Sequence, residues 1–147
     1  MPQNPGYKLQ SIKMEDIQLN IPYSLTINAS KVSGNIKSDH NIYRKIFNEC
    51  IDLPGIKSEL FYEFSPIGRL HVHGNIVFTT PISVGMFYQN LLPLGKISTF
   101  SLDTITDSNI WSTYIVKQKK YMKPYLNSLK LPYRLSCKTY SDTEQTE

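Results

Sequence analysis

Glu63, His71 and His73 fall in one short run, YEFSPIGRLHVHGNIVF from Tyr62 to Phe78. Two histidines at i and i+2 of a strand point to the same side. With a carboxylate from a neighbouring strand they offer a three-point nitrogen and oxygen site that leaves coordination positions open for water or a phosphate oxygen. Such a donor set suits Mn or Mg held jointly with a substrate, and it also suits Zn. The plainer alternative is a pair of polar residues on the exposed side of a half-buried strand. A second pair, Tyr114 and Lys117, stands three residues apart and so about 60° around a helix, close enough for both side chains to reach one point. A tyrosine that attacks phosphorus needs help, because its ordinary pKa of about 10 leaves little phenolate at neutral pH. A neighbouring ammonium favours the developing charge. Among ten tyrosines only Tyr114 is followed three positions later by Lys or Arg. The alternative here is a core aromatic with its lysine in solvent.

The elements that must position these residues follow from periodicity. YSLTIN (23–28) alternates, with Tyr23, Leu25 and Ile27 on one side and Ser24, Thr26 and Asn28 on the other, which predicts a half-buried strand. Over 38–53, Ile42, Ile46, Cys50 and Leu53 recur at helical spacing, with Ser38 or Asp39 as N-cap and Pro54-Gly55 as the stop. Strands over 58–65 and 69–79 flank a Pro66-Ile67-Gly68 turn and predict a hairpin. If that turn is tight, Glu63 lies close to His71 on the polar face, while Leu60, Tyr62 and Phe64 match Leu70, Val72, Ile76 and Phe78 on the apolar one. A helix over 82–94, a strand over 96–105 and a helix over 108–122 complete the chain, the last capped by Asp107 or Ser108 and closed by Pro124. On that helix Trp111, Tyr114, Ile115 and Tyr121 share one side. The order β-α-β-β-α-β-α predicts an α+β fold, a ferredoxin-like or RRM-like antiparallel sheet with helices on one face and the active site on the polar side.

A chain of 147 residues suits one domain. Residues 1–20 are expected to be a loosely held segment, 21–138 the folded domain and 139–147 an acidic disordered tail. Neither a membrane-spanning apolar run nor a secretory signal is expected. Cys50 and Cys137 lack metal spacing and are expected to be unpaired thiols, at least one of them buried. The net charge of +4 is unevenly placed: residues 1–107 carry nine basic and nine acidic side chains, whereas 108–140 carries seven basic and none acidic. A one-signed segment of this kind fits a polyanion such as nucleic acid, or a solvated face.

In combination the motifs resemble those of HUH endonucleases, the nicking domains of replication-initiator (Rep) proteins from small circular single-stranded DNA viruses and plasmids. YSLTIN resembles the first motif of that family, GRLHVHGNIVF the metal motif and YIVK the nucleophile motif, over roughly residues 20–125. The family expects a carboxylate some eight residues before the first metal histidine, and Glu63 precedes His71 by eight. The resemblance implies that Glu63, His71 and His73 hold a divalent metal, Mn or Mg, that Tyr114 is the nucleophile and that Lys117 steadies the metal-bound phosphate or its water. It implies single-stranded DNA at an origin stem-loop as partner, with Ser24, Thr26, Asn28, Arg69, Lys119, Lys120 and Lys123 as contacts. The implied activity is nicking and rejoining through a 5′-phosphotyrosine to initiate rolling-circle replication, in a host nucleus or a bacterial cytoplasm. Histidines before the tyrosine fit Rep proteins rather than relaxases, and one tyrosine at that place fits the single-tyrosine subclass, with Tyr121 a rival. No GxxxxGK[ST] is present, so unwinding is expected from a separate helicase together with host replication proteins. Two other readings stand beside this one: an RRM-like single-stranded nucleic-acid-binding module without catalysis, and a cupin-like metalloenzyme, which Val77 and Phe78 disfavour by offering no carboxylate after His73.

Overall fold

In a computed structural model, residues 14–29, 34–64, 69–91, 97–105 and 119–135 are described. The chain follows β1 (Pro22–Ala29), α1 (Ile36–Ile46) running into a π turn (Phe47–Ile51), β2 (Ile56–Phe64), β3 (Leu70–Phe78), α2 (Pro81–Leu91), β4 (Ile97–Thr104), α3 (119–128) and β5 (Arg134–Leu135). The strands form one antiparallel sheet in the order β4-β1-β3-β2-β5. The first four strands and their two connecting helices have the ferredoxin-like arrangement, and β5 adds a short edge. No described helix is long and apolar enough to cross a membrane.

Strand alternation builds the core. Tyr23, Leu25 and Ile27 of β1 pair with Ile76, Gly74 and Val72 of β3, and all of these but the glycine present buried apolar side chains to the helices. Each such side chain contributes about 1.5–3 kcal/mol by leaving water. α1 starts at Asn35, whose Oδ1 accepts from the Ser38 N–H at 3.2 Å, so neither Ser38 nor Asp39 is the cap. Its buried stripe is Asp39, His40, Tyr43 and Ile46, continued by Phe47, Cys50 and Ile51. Ile42 lies at the margin, only partly buried.

α2 begins with proline in its first turn, where a missing N–H costs nothing. Thr80 and Ser83 exchange bonds at this end: the Thr80 N–H donates to Ser83 Oγ and the Ser83 N–H to Thr80 Oγ1, each at 3.2 Å. The helix buries Val84, Phe87, Tyr88 and Leu91.

Two expected boundaries move. The packed domain reaches back past residue 21, since Ile17 is buried in the core and the Asn20 N–H donates to Phe78 O at 2.7 Å. Pro124 does not close the third helix, which runs through it to residue 128 and turns Met122 and Leu126 inward. A proline costs this helix one backbone bond, and burial of those two side chains offsets the loss. Cys50 is a buried, unpaired thiol whose Sγ donates to Asn90 O at 3.4 Å, and burial pushes its pKa up to about 11, so it is chemically quiet. Cys137 lies outside the described residues.

Candidate metal centre

Antiparallel pairing sets Glu63 opposite His71 and Phe61 opposite His73, so the carboxylate and both imidazoles share the face turned away from α1 and α2. One Glu63 oxygen lies 2.7 Å from His73 Nε2 and the other 3.5 Å from His71 Nε2. The two rings are 6.1 Å apart between centroids. The three residues converge as the hairpin spacing predicts. Their burial differs from the expectation of an open polar face, since Glu63, His71 and His73 are only 4, 8 and 2% exposed. Alternation decides which side a side chain takes, and packing decides whether that side meets water.

Ligands bonded at about 2.0–2.2 Å to one cation sit about 3–3.5 Å from each other. The Glu63–His71 gap matches that separation, and the Glu63–His73 gap is a few tenths of an ångström shorter. Among the described residues no group of three or more His, Cys, Asp and Glu side chains is arranged to hold a metal ion. The donor types, one carboxylate and two imidazoles, nonetheless suit a divalent cation. In one respect the site departs from usual metal centres: a ligating imidazole ordinarily donates its second N–H, yet His71 Nδ1 is buried without a hydrogen-bond partner among the described residues.

The supports lie on the other side of the hairpin, next to the candidate ligands in sequence. Tyr43 Oη on α1 donates to Leu70 O at 2.5 Å, just before His71. Tyr62, just before Glu63, donates from Oη to His40 O at 3.1 Å and from its backbone N–H to Tyr133 O at 3.1 Å. Its ring stacks on His40 at 4.0 Å. Alternation placed Tyr62 on the apolar face, but periodicity did not bring out Tyr43 and His40. The available signal was the aromatic and imidazole content of a helix face whose polar tips can reach backbone carbonyls.

His40 Nε2 makes its own bond to Pro132 O at 2.9 Å. Burial lowers its pKa from the ordinary 6.5, the bond to Pro132 opposes this, and the Arg44 charge lowers it further. The folded state thus binds the proton less tightly than the unfolded chain. The stabilisation is full above 6.5 and is lost as pH falls below 6.5 toward the folded value. Urea midpoints are expected to drop between pH 7.5 and 5.5 in the parent, and to drop less in His40→Gln. Equal pH dependence in the two proteins would contradict a neutral buried imidazole.

Of the expected nucleic-acid contacts, Ser24, Thr26 and Asn28 lie half-buried on the same face as the histidines, as read. Arg69, Lys119 and Lys120 are exposed, and Lys123 is partly so. α3 passes beside the Glu63 end of β2, with Tyr125 against Phe64 at 5.4 Å. Tyr121 is 68% exposed and points away from Met122 and Leu126. Tyr114 and Lys117, with Trp111 and Ile115, lie outside the described residues. Phe61 is buried and stacked 5.2 Å from Tyr133, so the hairpin's one aromatic on this face is not open to a base. Compared with protein-family models, curated proteins and solved structures, the chain matches none.

Proposed function

We propose that this protein is a metal-dependent single-stranded DNA endonuclease and strand transferase of the HUH type. The observation that carries the reading is the Glu63 carboxylate lying between His71 and His73, at 3.5 and 2.7 Å, on the sheet face opposite the helices. Glu63, His71 and His73 would hold Mn or Mg. When bound, the cation supplies polarisation of the scissile phosphodiester.

In this reading Tyr114 Oη forms a bond to phosphorus as the bond from phosphorus to the 3′ oxygen breaks. The phenolic proton is lost, the 3′ oxygen takes up a proton, and the products are a 5′-phosphotyrosine and a free 3′-hydroxyl. Lys117 stabilises the phenolate. The same steps in reverse rejoin strands, which suits initiation of rolling-circle replication at an origin stem-loop. Lys119, Lys120 and Lys123 on α3, with Arg69, supply positive charge for phosphates near the Glu63 end of β2. A separate helicase would unwind the duplex.

A labelled single-stranded oligonucleotide library incubated with the protein and Mn should give a band that survives SDS attached to protein. Tyr114→Phe should lower its yield by several orders of magnitude. If the adduct persists in Tyr114→Phe, the nucleophile is assigned wrongly and Tyr121 is the next to replace. If neither cleavage nor adduct forms with any library member, the nickase reading fails.

A further inference from the structure

The sheet face that carries the histidines is not basic at its centre. On β1, β3 and β4 that face holds Ser24, Thr26, Asn75, Ser101 and Asp103, and none of these strands has a Lys or Arg. Ser24 pairs with Asn75 on one side and Asp103 on the other, which makes one rung of carboxylate, hydroxyl and amide across three strands. All three side chains are partly open to solvent. Asp103 is oriented locally: Ser101 Oγ donates to its Oδ2 at 2.6 Å, and Ser24 Oγ donates to its backbone oxygen at 3.3 Å. The next rung, Ser101–Thr26–His73, leads to the candidate metal centre. Two residues of strand separate the rungs, about 7 Å.

We infer that Asp103, Ser24 and Asn75 form a base-reading subsite for single-stranded DNA that selects a base bearing an exocyclic amino group, cytosine foremost. This rests on the proposed function and adds a specificity to it. A carboxylate repels phosphate, so the rung cannot carry the strand's backbone. It suits a base edge, where Asp accepts from cytosine N4–H2 and Asn completes a donor and acceptor pair. Phosphates are left to the lysines of α3, beside the Glu63 end of β2. The division of labour puts charge at the helix and identity on the sheet, with the selected base a near neighbour of the scissile phosphate. Thymine, which presents a carbonyl where cytosine presents an amine, would face the carboxylate acceptor to acceptor.

The test uses the full chain and fluorescein-labelled homopolymers of dC and of dT, with anisotropy as readout at fixed salt. The parent is expected to bind the dC strand about 5- to 150-fold more tightly, the range given by one good base contact. Asp103→Asn keeps the shape and gains a donor, so it should bring the ratio close to one while affinity for dT stays the same or rises. Circular dichroism of that variant checks the fold, and Ser101→Ala, which leaves the carboxylate but removes its orienting bond, should lower the ratio partway. Equal parent binding to both strands, with binding weakened by salt and by Lys119→Ala and Lys120→Ala, overturns the subsite and leaves the nuclease reading standing. An unchanged ratio in Asp103→Asn overturns it as well. Failure to bind either strand at low salt overturns both.

Discussion

Gly74→Ala is expected to leave little folded protein. Gly74 sits in the rung Leu25–Gly74–Leu60 at the centre of the sheet, directly after His73. A Cβ there would lie 2.0 Å from Glu59 O and 2.8 Å from Leu60 Cα, and both are backbone atoms that cannot swing aside. The φ of +159° also suits glycine better than alanine. Relief requires β2 and β3 to part in the middle of the hairpin that brings Glu63 to His71. Separation loses ladder bonds and uncovers Leu60, Val72 and Ile76, all of them buried. The expected cost exceeds about 4 kcal/mol, the level at which a single substitution is exceptional. A domain of this size has about 5–15 kcal/mol in total. Gly34→Ala is the control: its φ is +82°, but among the described residues nothing lies within 4 Å of the added methyl. Only backbone strain of about 1–3 kcal/mol is expected there, a fall of about 2–12 °C in melting temperature. Thermal melts followed by circular dichroism read both. If Gly74→Ala melts within a few degrees of the parent, the two backbones do not approach as described.

What the sequence made legible, and what it did not, divides along physical lines. β1, β2 and β3 were readable because alternation has a period of two and each strand turns one largely buried face to the core, so a slip of one residue would expose Leu25 or Ile76. The pairing of Glu63 with His71 followed from the expectation of a tight turn near Pro66 to Gly68, since an antiparallel register is fixed once its midpoint is. The cap of α1 was misplaced because Ser38, Asp39 and Asn35 all have capping side chains, and local sequence does not choose among them. The inward face of α1 was shifted for a different reason. His40 and Tyr43 occupy core positions that a hydrophobicity pattern leaves to Ile42, and they do so because Pro132 O and Leu70 O satisfy their polar atoms. The burial of His71 and His73 was not legible at all, because period two orders residues about a strand and is silent on what packs above it.

In the absence of metal, Glu63→Gln is expected to melt at or above the temperature of the parent while losing its response to Mn. The argument turns on what the close Glu63–His73 contact is for. A buried carboxylate carries a large desolvation cost, and a neutral isostere of the same volume removes that cost along with the attraction to His73. If the three side chains exist to hold a cation, the cation-free state is the poorer one, and neutralising Glu63 relieves it. Metal then stabilises only the folded parent, by about 2.7 kcal/mol at a hundredfold excess over the dissociation constant, or about 5–11 °C at this chain length. Glu63→Gln and His73→Ala should each erase most of that rise, and a chelator should reverse it in the parent. If Glu63 and His73 are instead a structural ion pair, the outcome inverts. Glu63→Gln then lowers the melting temperature by several degrees, Mn moves neither protein, and the face would have no cation to place against a phosphodiester. Melting curves of the two proteins with and without Mn separate these cases before any DNA substrate is chosen, because the fold itself reports whether the site is built around an absent charge.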